Sequence, residues 1–383
     1  MHALSWSDLL PALSVPRENG TAGLATAKAF IIEQLDGAGV AWRVQEISAR
    51  PLEPVALGVV VGLLCCAYWW ALRSSRQYVG LFLALLLAAV PIAQLDWQVP
   101  LTPGHTASES NIFGVVSAPH PSQRLILAAH YDTKTELTDH IVRIPVEILG
   151  AVLIVLAVLL TPFCGLAKFR RLSRVLGVGV LGYGILFMLL FSAGALRQER
   201  SSGALDDGAA CMVLLKAASL LSADNSLVKT EVVFAFFTGE ELGAEGSWAF
   251  AKERFAVEPR MKTYMINFDP IGASSDLTVV HREGGLLRSF IPNESVVSLI
   301  DAAHRKVAGR PIGHTSGGGL TDAFPLLAYG VPAATIISAV PPFVVPRGMH
   351  TPNDIVSRVD LSSMDRTLGF VMEVVHLFDH GSR

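Results

Sequence analysis

Four long apolar blocks constrain the fold of this chain more than any other feature of its sequence. They cover residues 55–72, 78–95, 144–167 and 175–196. The only charged side chain within them is Glu147. Each block is long enough to cross the hydrocarbon core of a bilayer, which requires about 20 helical residues. We therefore predict four transmembrane helices in contact with membrane lipid, arranged as two hairpins over residues 55–95 and 144–196.

The short loops at the tips of these hairpins are basic. They carry Arg73, Arg76, Lys168, Arg170, Arg171 and Arg174. Short loops rich in lysine and arginine stay on the cytoplasmic side of a membrane. We therefore expect a multi-pass membrane protein whose remaining chain is extracytoplasmic, in a periplasm, at the cell exterior or in an organelle lumen. The net charge of −3 argues against a nucleic-acid partner, which would require basic patches.

A glycine pattern inside the fourth block resembles a nucleotide-binding fingerprint but has the wrong context. Gly177, Gly179 and Gly182 have the spacing GxGxxG. That motif requires a preceding strand and the start of a helix, whereas these glycines lie within a continuous apolar helix. Together with Gly184 they predict a face of small residues that permits close helix packing.

Outside the hairpins, residues 1–54, 96–143 and 197–383 have the pattern of a single α/β domain. Apolar positions at helical spacing predict a helix over 21–35. Short apolar runs that predict strands follow at Leu125–Ala129, Val232–Phe237, Met265–Phe268 and Ala334–Ile337. This alternation predicts a mostly parallel mixed sheet sandwiched by helices, with the two hairpins inserted. Ligands of such sheets bind at the carboxyl ends of the strands.

Acidic and imidazole side chains follow these apolar runs. The candidates are His130 and Asp132, Asp206 in the segment GALDDG, the pair Glu240 and Glu241, Asp269, and His350 in the segment HTPND. Zinc binds imidazole nitrogen and carboxylate oxygen, and a hydrolase also needs an unligated carboxylate to take a proton from water. The set therefore predicts a metal site, and it is large enough for two zinc ions.

The order HYD, GALDDG, GEE, NFD and MHTPND resembles the clan of co-catalytic di-zinc exopeptidases. That clan includes bacterial leucyl aminopeptidase, glutamate carboxypeptidase and membrane-bound endoplasmic reticulum metallopeptidases. The resemblance covers nearly all of the chain outside the hairpins, beginning at the segment PRENGT, residues 16–21. It implies the zinc exopeptidase fold, two bound Zn²⁺ ions and a peptide substrate.

The resemblance also implies a role for each candidate residue. Asp206 would bridge the two metals, His130 and Asp269 would complete one site, and Glu241 and His350 would complete the other. Glu240 would be the general base, and Asp132 would orient His130. The bond between Asp206 and Asp207 would be cis. Weaker matches to a late pocket segment of the family are Thr321, Asp322 and Phe324.

One departure from these relatives concerns the connection between His130 and Asp206. Relatives have a short loop there, whereas this chain contains the second hairpin, residues 144–196. The first hairpin lies in a loop before Leu125. Both hairpins are therefore expected to be insertions in a peptidase domain, and the substrate preference of soluble relatives does not carry over.

Several functions remain open from the sequence. The leading one is an aminopeptidase that removes N-terminal residues from peptides. A carboxypeptidase would need a cation for the terminal carboxylate, and Arg282, Arg288 and Arg347 are the candidates. A glutaminyl cyclase-like acyltransferase would use one zinc ion on the same scaffold. A membrane receptor or assembly subunit without activity is a further alternative, although such proteins usually lose ligands or the base.

Overall fold

The computed structural model describes residues 5–255, 261–274, 276–315, 318–338 and 345–381. The chain divides into two compact units. The first contains Met1–Pro51, Thr106–Lys134 and Arg200–Arg383, and the second contains Leu52–His105 and Thr135–Glu199. Both segments of the second unit begin before and end after the predicted hairpins, residues 55–95 and 144–196. The additional residues are the first or last residues of these helices and the connections next to them.

The first unit is built on two sheets. In chain order the strands are β1 Ala41–Ala49, β2 Ala107–Ser117, β3 Gln123–His130, β4 Thr230–Phe237, β5 Lys262–Phe268, β6 Leu277–Val279, β7 Arg282–Gly284, β8 Ser289–Phe290, β9 Gly313–His314, β10 Gly318–Gly319 and β11 Ala333–Ser338. Eight of them form one sheet in the order β1-β2-β4-β3-β5-β11-β6-β9, and β10-β7-β8 form the other. Strands β4, β3, β5 and β11 are mutually parallel, while β1 and β2 add an antiparallel edge. The predicted mostly parallel mixed sheet is confirmed.

Helices cover both faces of the large sheet. In this unit they are α1 Trp6–Leu9, α2 Ala22–Gly37, α7 Ala209–Asp224, α8 Glu245–Phe255, α9 Glu294–Ala308, α10 Ala323–Ala328 and α11 Leu361–His380. Side chains alternate along a strand, so Leu125 and Leu127 of β3 pack with α2, α7, α9 and α11, whereas Ile126 and Ala128 pack with α8 and α10. This leaves the carboxyl ends of the parallel strands together at one edge of the sheet.

The second unit contains four long apolar helices, α3 Glu53–Arg73, α4 Gln77–Trp97, α5 His140–Leu160 and α6 Arg170–Ser192. All four are long and apolar enough to cross a membrane. Helices α3 and α6 approach each other closely, because a Cβ added to Gly184 would lie 2.3 Å from the Cβ of Cys65. Gly184 therefore has the predicted packing role. Gly182 does not, since a Cβ there would meet nothing within 4 Å.

The third apolar block differs from its predicted limits. Helix α5 begins at His140 rather than at residue 144, because the Asp139 side chain caps it by accepting a hydrogen bond from the amide of Ile141 at 3.1 Å. It ends at Leu160 rather than near residue 167. Glu147 consequently lies two turns inside the helix, where it pairs with Arg143 at 2.9 Å.

Candidate metal centre

Four of the candidate residues lie at the carboxyl ends of neighbouring strands in the parallel part of the sheet. His130 is the last residue of β3, and Asp269 follows the last residue of β5. Glu240 and Glu241 begin a short 3₁₀ turn just after β4. Gly239 makes the tight entry into that turn with φ of 71°, a conformation that disfavours other residues. Since β4, β3 and β5 are adjacent and parallel, these side chains lie at one edge of the sheet.

Asp206 and His350 come to the same place from irregular segments. Asp206 lies in the turn Ala204–Gly208, where its backbone is not helical, immediately before α7. The Asp206–Asp207 peptide bond is cis, as the resemblance implied. His350 lies in a turn with φ of 60°. The predicted residues are therefore brought together although they are distributed over more than 200 positions of the sequence.

The two carboxylate oxygens of Asp206 belong to two different groups of potential ligands. Oδ1 lies 3.0 Å from Nε2 of His130, which is itself 3.6 Å from Oδ1 of Asp269. Oδ2 lies 2.6 Å from Nε2 of His350, which is 3.2 Å from Oε1 of Glu241. In each group of three, the ligand atoms lie within 4.8 Å of one another. All five residues are buried.

This donor set fits zinc. Imidazole nitrogen and carboxylate oxygen are typical zinc ligands, and ligand atoms about 2.1 Å from a tetrahedral ion are roughly 3.4 Å apart. Oδ2 of Asp206 and Oε1 of Glu241 are buried, and within the described residues neither accepts a hydrogen bond of suitable geometry. Buried carboxylate oxygens normally find a partner, and a cation at the centre of each group would supply it.

The pKa values of Asp206 and Glu240, two carboxylates at this edge, are shifted in opposite directions. Burial alone would raise the pKa of Asp206, but the imidazoles of His350 and His130 lower it well below its ordinary value. Burial raises the pKa of Glu240 well above its ordinary value, and the charge of Asp269 adds to that effect. Glu240 also lies near the ligands, since it forms a third group with His130 and Glu241 within 4.8 Å.

Asp132 contacts more of the site than the sequence indicated. Its Oδ1 lies 3.5 Å from Nδ1 of His130, the expected orienting contact. The same carboxylate accepts the backbone amides of Glu240 at 3.3 Å and Glu241 at 3.2 Å. The side-chain amide of Asn19 donates to it at 2.7 Å. Asp132 thus fixes the turn that carries both glutamates as well as the imidazole of β3.

Other supporting residues carried no assigned role in the sequence. The carboxylate of Asp354 accepts the amides of Leu205 at 2.7 Å and of Asp206 at 3.3 Å. The guanidinium of Arg17 is buried and donates to backbone carbonyls, among them that of Tyr131 at 2.8 Å. Both residues lie in segments quoted for the resemblance, HTPND and PRENGT. Their partners are distant in sequence, so no local pattern predicts the contacts.

The late segment around Asp322 forms a buried acidic cluster next to this edge. The Thr321 hydroxyl donates to Oε2 of Glu283 at 3.0 Å. Burial raises the pKa of Glu283 to about 8 and that of Asp322 to about 7. Phe324 packs edge-on against Trp248, with ring centroids 5.3 Å apart. The predicted segment therefore contributes an acid of raised pKa, Asp322, and an aromatic side chain, Phe324.

Comparisons with known proteins agree with this geometry. The family model described as Peptidase family M28 matches residues 181–375, just over half of the chain. No curated protein sequence matches the chain significantly. Among solved structures, the LapA aminopeptidase of Legionella pneumophila aligns at 11% identity with a TM-score of 0.56, covering 98% of this chain and 72% of that chain.

Two further structures align over nearly their whole length. A Zn-dependent exopeptidase from Parabacteroides distasonis has 14% identity and a TM-score of 0.57, covering 97% of this chain and 96% of that chain. Porphyromonas gingivalis glutaminyl cyclase has 16% identity with the same TM-score and coverage. Identities this low establish the fold alone. The family match confirms the resemblance found in the sequence and supports a zinc metallopeptidase: the chain belongs to peptidase family M28.

Proposed function

We propose that this chain is a membrane-anchored aminopeptidase with two zinc ions. The observation that carries the proposal is that the two carboxylate oxygens of Asp206 face two separate imidazole–carboxylate groups. One ion would be held by His130, Asp206 and Asp269, and the other by Asp206, Glu241 and His350. A carboxylate shared in this way would hold two cations next to each other, as in two-metal hydrolytic sites.

The chemistry follows from the residues around the two groups. Zinc supplies a Lewis acid that polarises the scissile carbonyl. Glu240 takes a proton from the attacking water while the water oxygen bonds to the carbonyl carbon. Glu240 then gives that proton to the amine as the C–N bond breaks. Asp132 holds the Glu240 backbone amide at 3.3 Å and so keeps the base in position. Burial of the site limits competition from bulk water.

The contacts of two of the three arginine candidates, Arg282 and Arg288, favour cleavage at the amino end. The Arg282 guanidinium donates to the hydroxyl of Ser289 at 3.1 Å. The guanidinium of Arg288 lies 5.4 Å from the centroid of the Trp248 ring. These partners are outside the two ligand groups, whereas a carboxypeptidase needs a cation directed at the terminal carboxylate. A site rich in carboxylates suits the α-amine of a substrate.

The membrane anchor and its orientation are part of the proposal. The four helices of the second unit would cross the bilayer, with the basic tips in the cytoplasm and the metal centre on the opposite side. A cysteine introduced at Ser74, in the tip between α3 and α4, should be labelled by a membrane-impermeant maleimide only after the membrane is opened. Labelling in sealed cells would contradict this orientation.

The experiment that tests the activity compares purified wild type with Glu240→Gln. Metal content is measured by mass spectrometry and cleavage by release of coumarin from aminoacyl-coumarins. Two zinc ions per chain in both proteins, with activity lower by about 10²–10⁴-fold in the variant, are expected for loss of a general base. Glu294→Gln, at an exposed residue of α9, is the control and should keep full activity. Folded wild type without zinc or cleavage would refute the proposal.

A second candidate is favoured by one comparison, since a glutaminyl cyclase aligns as well as an exopeptidase does. In that reaction the α-amine of an N-terminal glutamine attacks its own side-chain amide and ammonia leaves. One zinc ion per chain, together with ammonia release from a glutaminyl peptide and no coumarin release, would select the cyclase.

A further inference from the structure

Lys134 makes a direct contact with one of the residues in the two ligand groups. It lies four residues after His130, and its Nζ is 2.8 Å from Oε2 of Glu241. The glutamate side chain is 2% exposed and the lysine side chain 27% exposed, so the lysine reaches into the site from its rim. A hydrogen bond between an ammonium and a carboxylate is stronger than a neutral one because both partners are ionised.

The two oxygens of Glu241 consequently have different environments. Oε1 lies 3.2 Å from Nε2 of His350 and, within the described residues, accepts no hydrogen bond of suitable geometry. It is the oxygen directed at the group formed with Asp206 and His350. Oε2 is directed at Lys134 instead. The side chain therefore offers one oxygen to a cation while the other is already occupied.

We propose that Lys134 is a positioning residue that restricts Glu241 to a single metal-binding oxygen. The inference rests on the proposed zinc centre. A carboxylate can bind a metal through one oxygen or through both, and zinc in a catalytic site keeps a position open for the substrate or water. By holding Oε2, Lys134 prevents Glu241 from filling that position. Replacing a residue that orients a ligand in this way typically costs about 10–100-fold in metal affinity or activity.

Cobalt(II) in place of zinc gives a readout of coordination number, since its visible absorption is strong at low coordination and weak when six ligands surround it. The full chain in detergent is loaded with cobalt as wild type, Lys134→Met and Lys134→Arg. Loss of the cation frees Oε2 for the one of the two metals that Glu241 would hold, so the absorption averaged per cobalt should fall in the methionine variant, by at most about twofold because the other ion is unaffected. The arginine variant keeps a cation and should retain the wild-type spectrum.

Lys28→Met is the matched control. Lys28 also faces a carboxylate, Glu46 at 3.6 Å, but that glutamate is outside the ligand groups. Its substitution should leave the cobalt spectrum unchanged. Lys134→Ala replaces the methionine variant should the latter fail to fold. A wild-type spectrum in either neutral variant of Lys134 would overturn the inference.

Two further results separate this inference from its alternatives. If wild type fails to bind two metal ions per chain, the proposed function fails, and this inference fails with it. If two ions bind but only substrates with a free terminal carboxylate lose affinity in Lys134→Met, with the cobalt spectrum unchanged, Lys134 recognises the substrate. That result would overturn the positioning role and leave the zinc centre standing.

Discussion

Replacing Glu283 with glutamine should change how the stability of the first unit depends on pH. The Glu283 side chain is fully buried in β7, and burial raises its pKa from 4.5 to about 8. Between these two values the folded chain keeps a proton that the unfolded chain releases. The folded state then binds more protons, so stability falls as pH rises, by about 1.4 kcal/mol per pH unit. Glutamine has no such proton and keeps an oxygen to accept the Thr321 hydroxyl.

The measurement is the melting temperature of the purified chain at pH 5.5 and at pH 7.5. Between pH 5.5 and pH 7.5 the free energy of unfolding of Glu283→Gln should rise by about 3 kcal/mol relative to that of wild type. For a unit of this size that corresponds to roughly 5 to 10 °C in the melting temperature. Glu294→Gln, at an exposed glutamate, controls for the loss of one carboxylate. An equal difference between Glu283→Gln and wild type at both pH values would refute the assignment of a protonated, buried acid.

Three further substitutions test the supports of the fold and of the site. Arg17→Met should destabilise the first unit by more than about 3 kcal/mol, seen as a lower melting temperature, because several buried carbonyls lose their donor. Asp354→Asn should weaken zinc binding by about 10–100-fold in a chelator competition, because one amide oxygen cannot hold both amides of the turn before α7. Gly184→Ala should lower the melting temperature of the helical unit, since its Cβ would lie 2.3 Å from that of Cys65, whereas Gly182→Ala should not. An unchanged melting temperature in Arg17→Met or Gly184→Ala, or unchanged zinc affinity in Asp354→Asn, would contradict the contact on which that prediction rests.

The sequence predicted the elements in which one local signal dominates. Apolar runs followed by a histidine or an acid identified β3, β4 and β5, because burial on both faces requires continuous apolar residues. The antiparallel edge strands were not predicted. Most of β1, Ala41–Ala49, is exposed, and β2, Ala107–Ser117, starts with a polar stretch. Their pairing joins residues 58 to 74 positions apart, and no local pattern records it.

In the candidate site, too, local sequence signals predict some residues and miss others. The metal-binding residue types follow predicted strands, so His130, Glu241 and Asp269 could be found from the sequence alone. The residues that hold them could not, because a contact such as Asn19 with Asp132 joins positions 113 apart. Hydrogen bonds between side chains and backbone leave no periodicity in a sequence. The order of the motifs predicted the candidate site, and the folded chain was needed to find the residues that support it.

The position of Arg17 explains how this site can contain a long insertion. The segment Thr135–Glu199 belongs to the second unit and separates two ligand-bearing segments of the first. Arg17 donates to the carbonyl of Tyr131, before the insertion, at 2.8 Å, and to that of Ser202, after it, at 2.9 Å. The entropic cost of closing a loop grows only slowly with its length, by about 0.6 kcal/mol for each doubling. One buried guanidinium therefore joins the first unit on both sides of the insertion, next to the segments that carry His130 and Asp206.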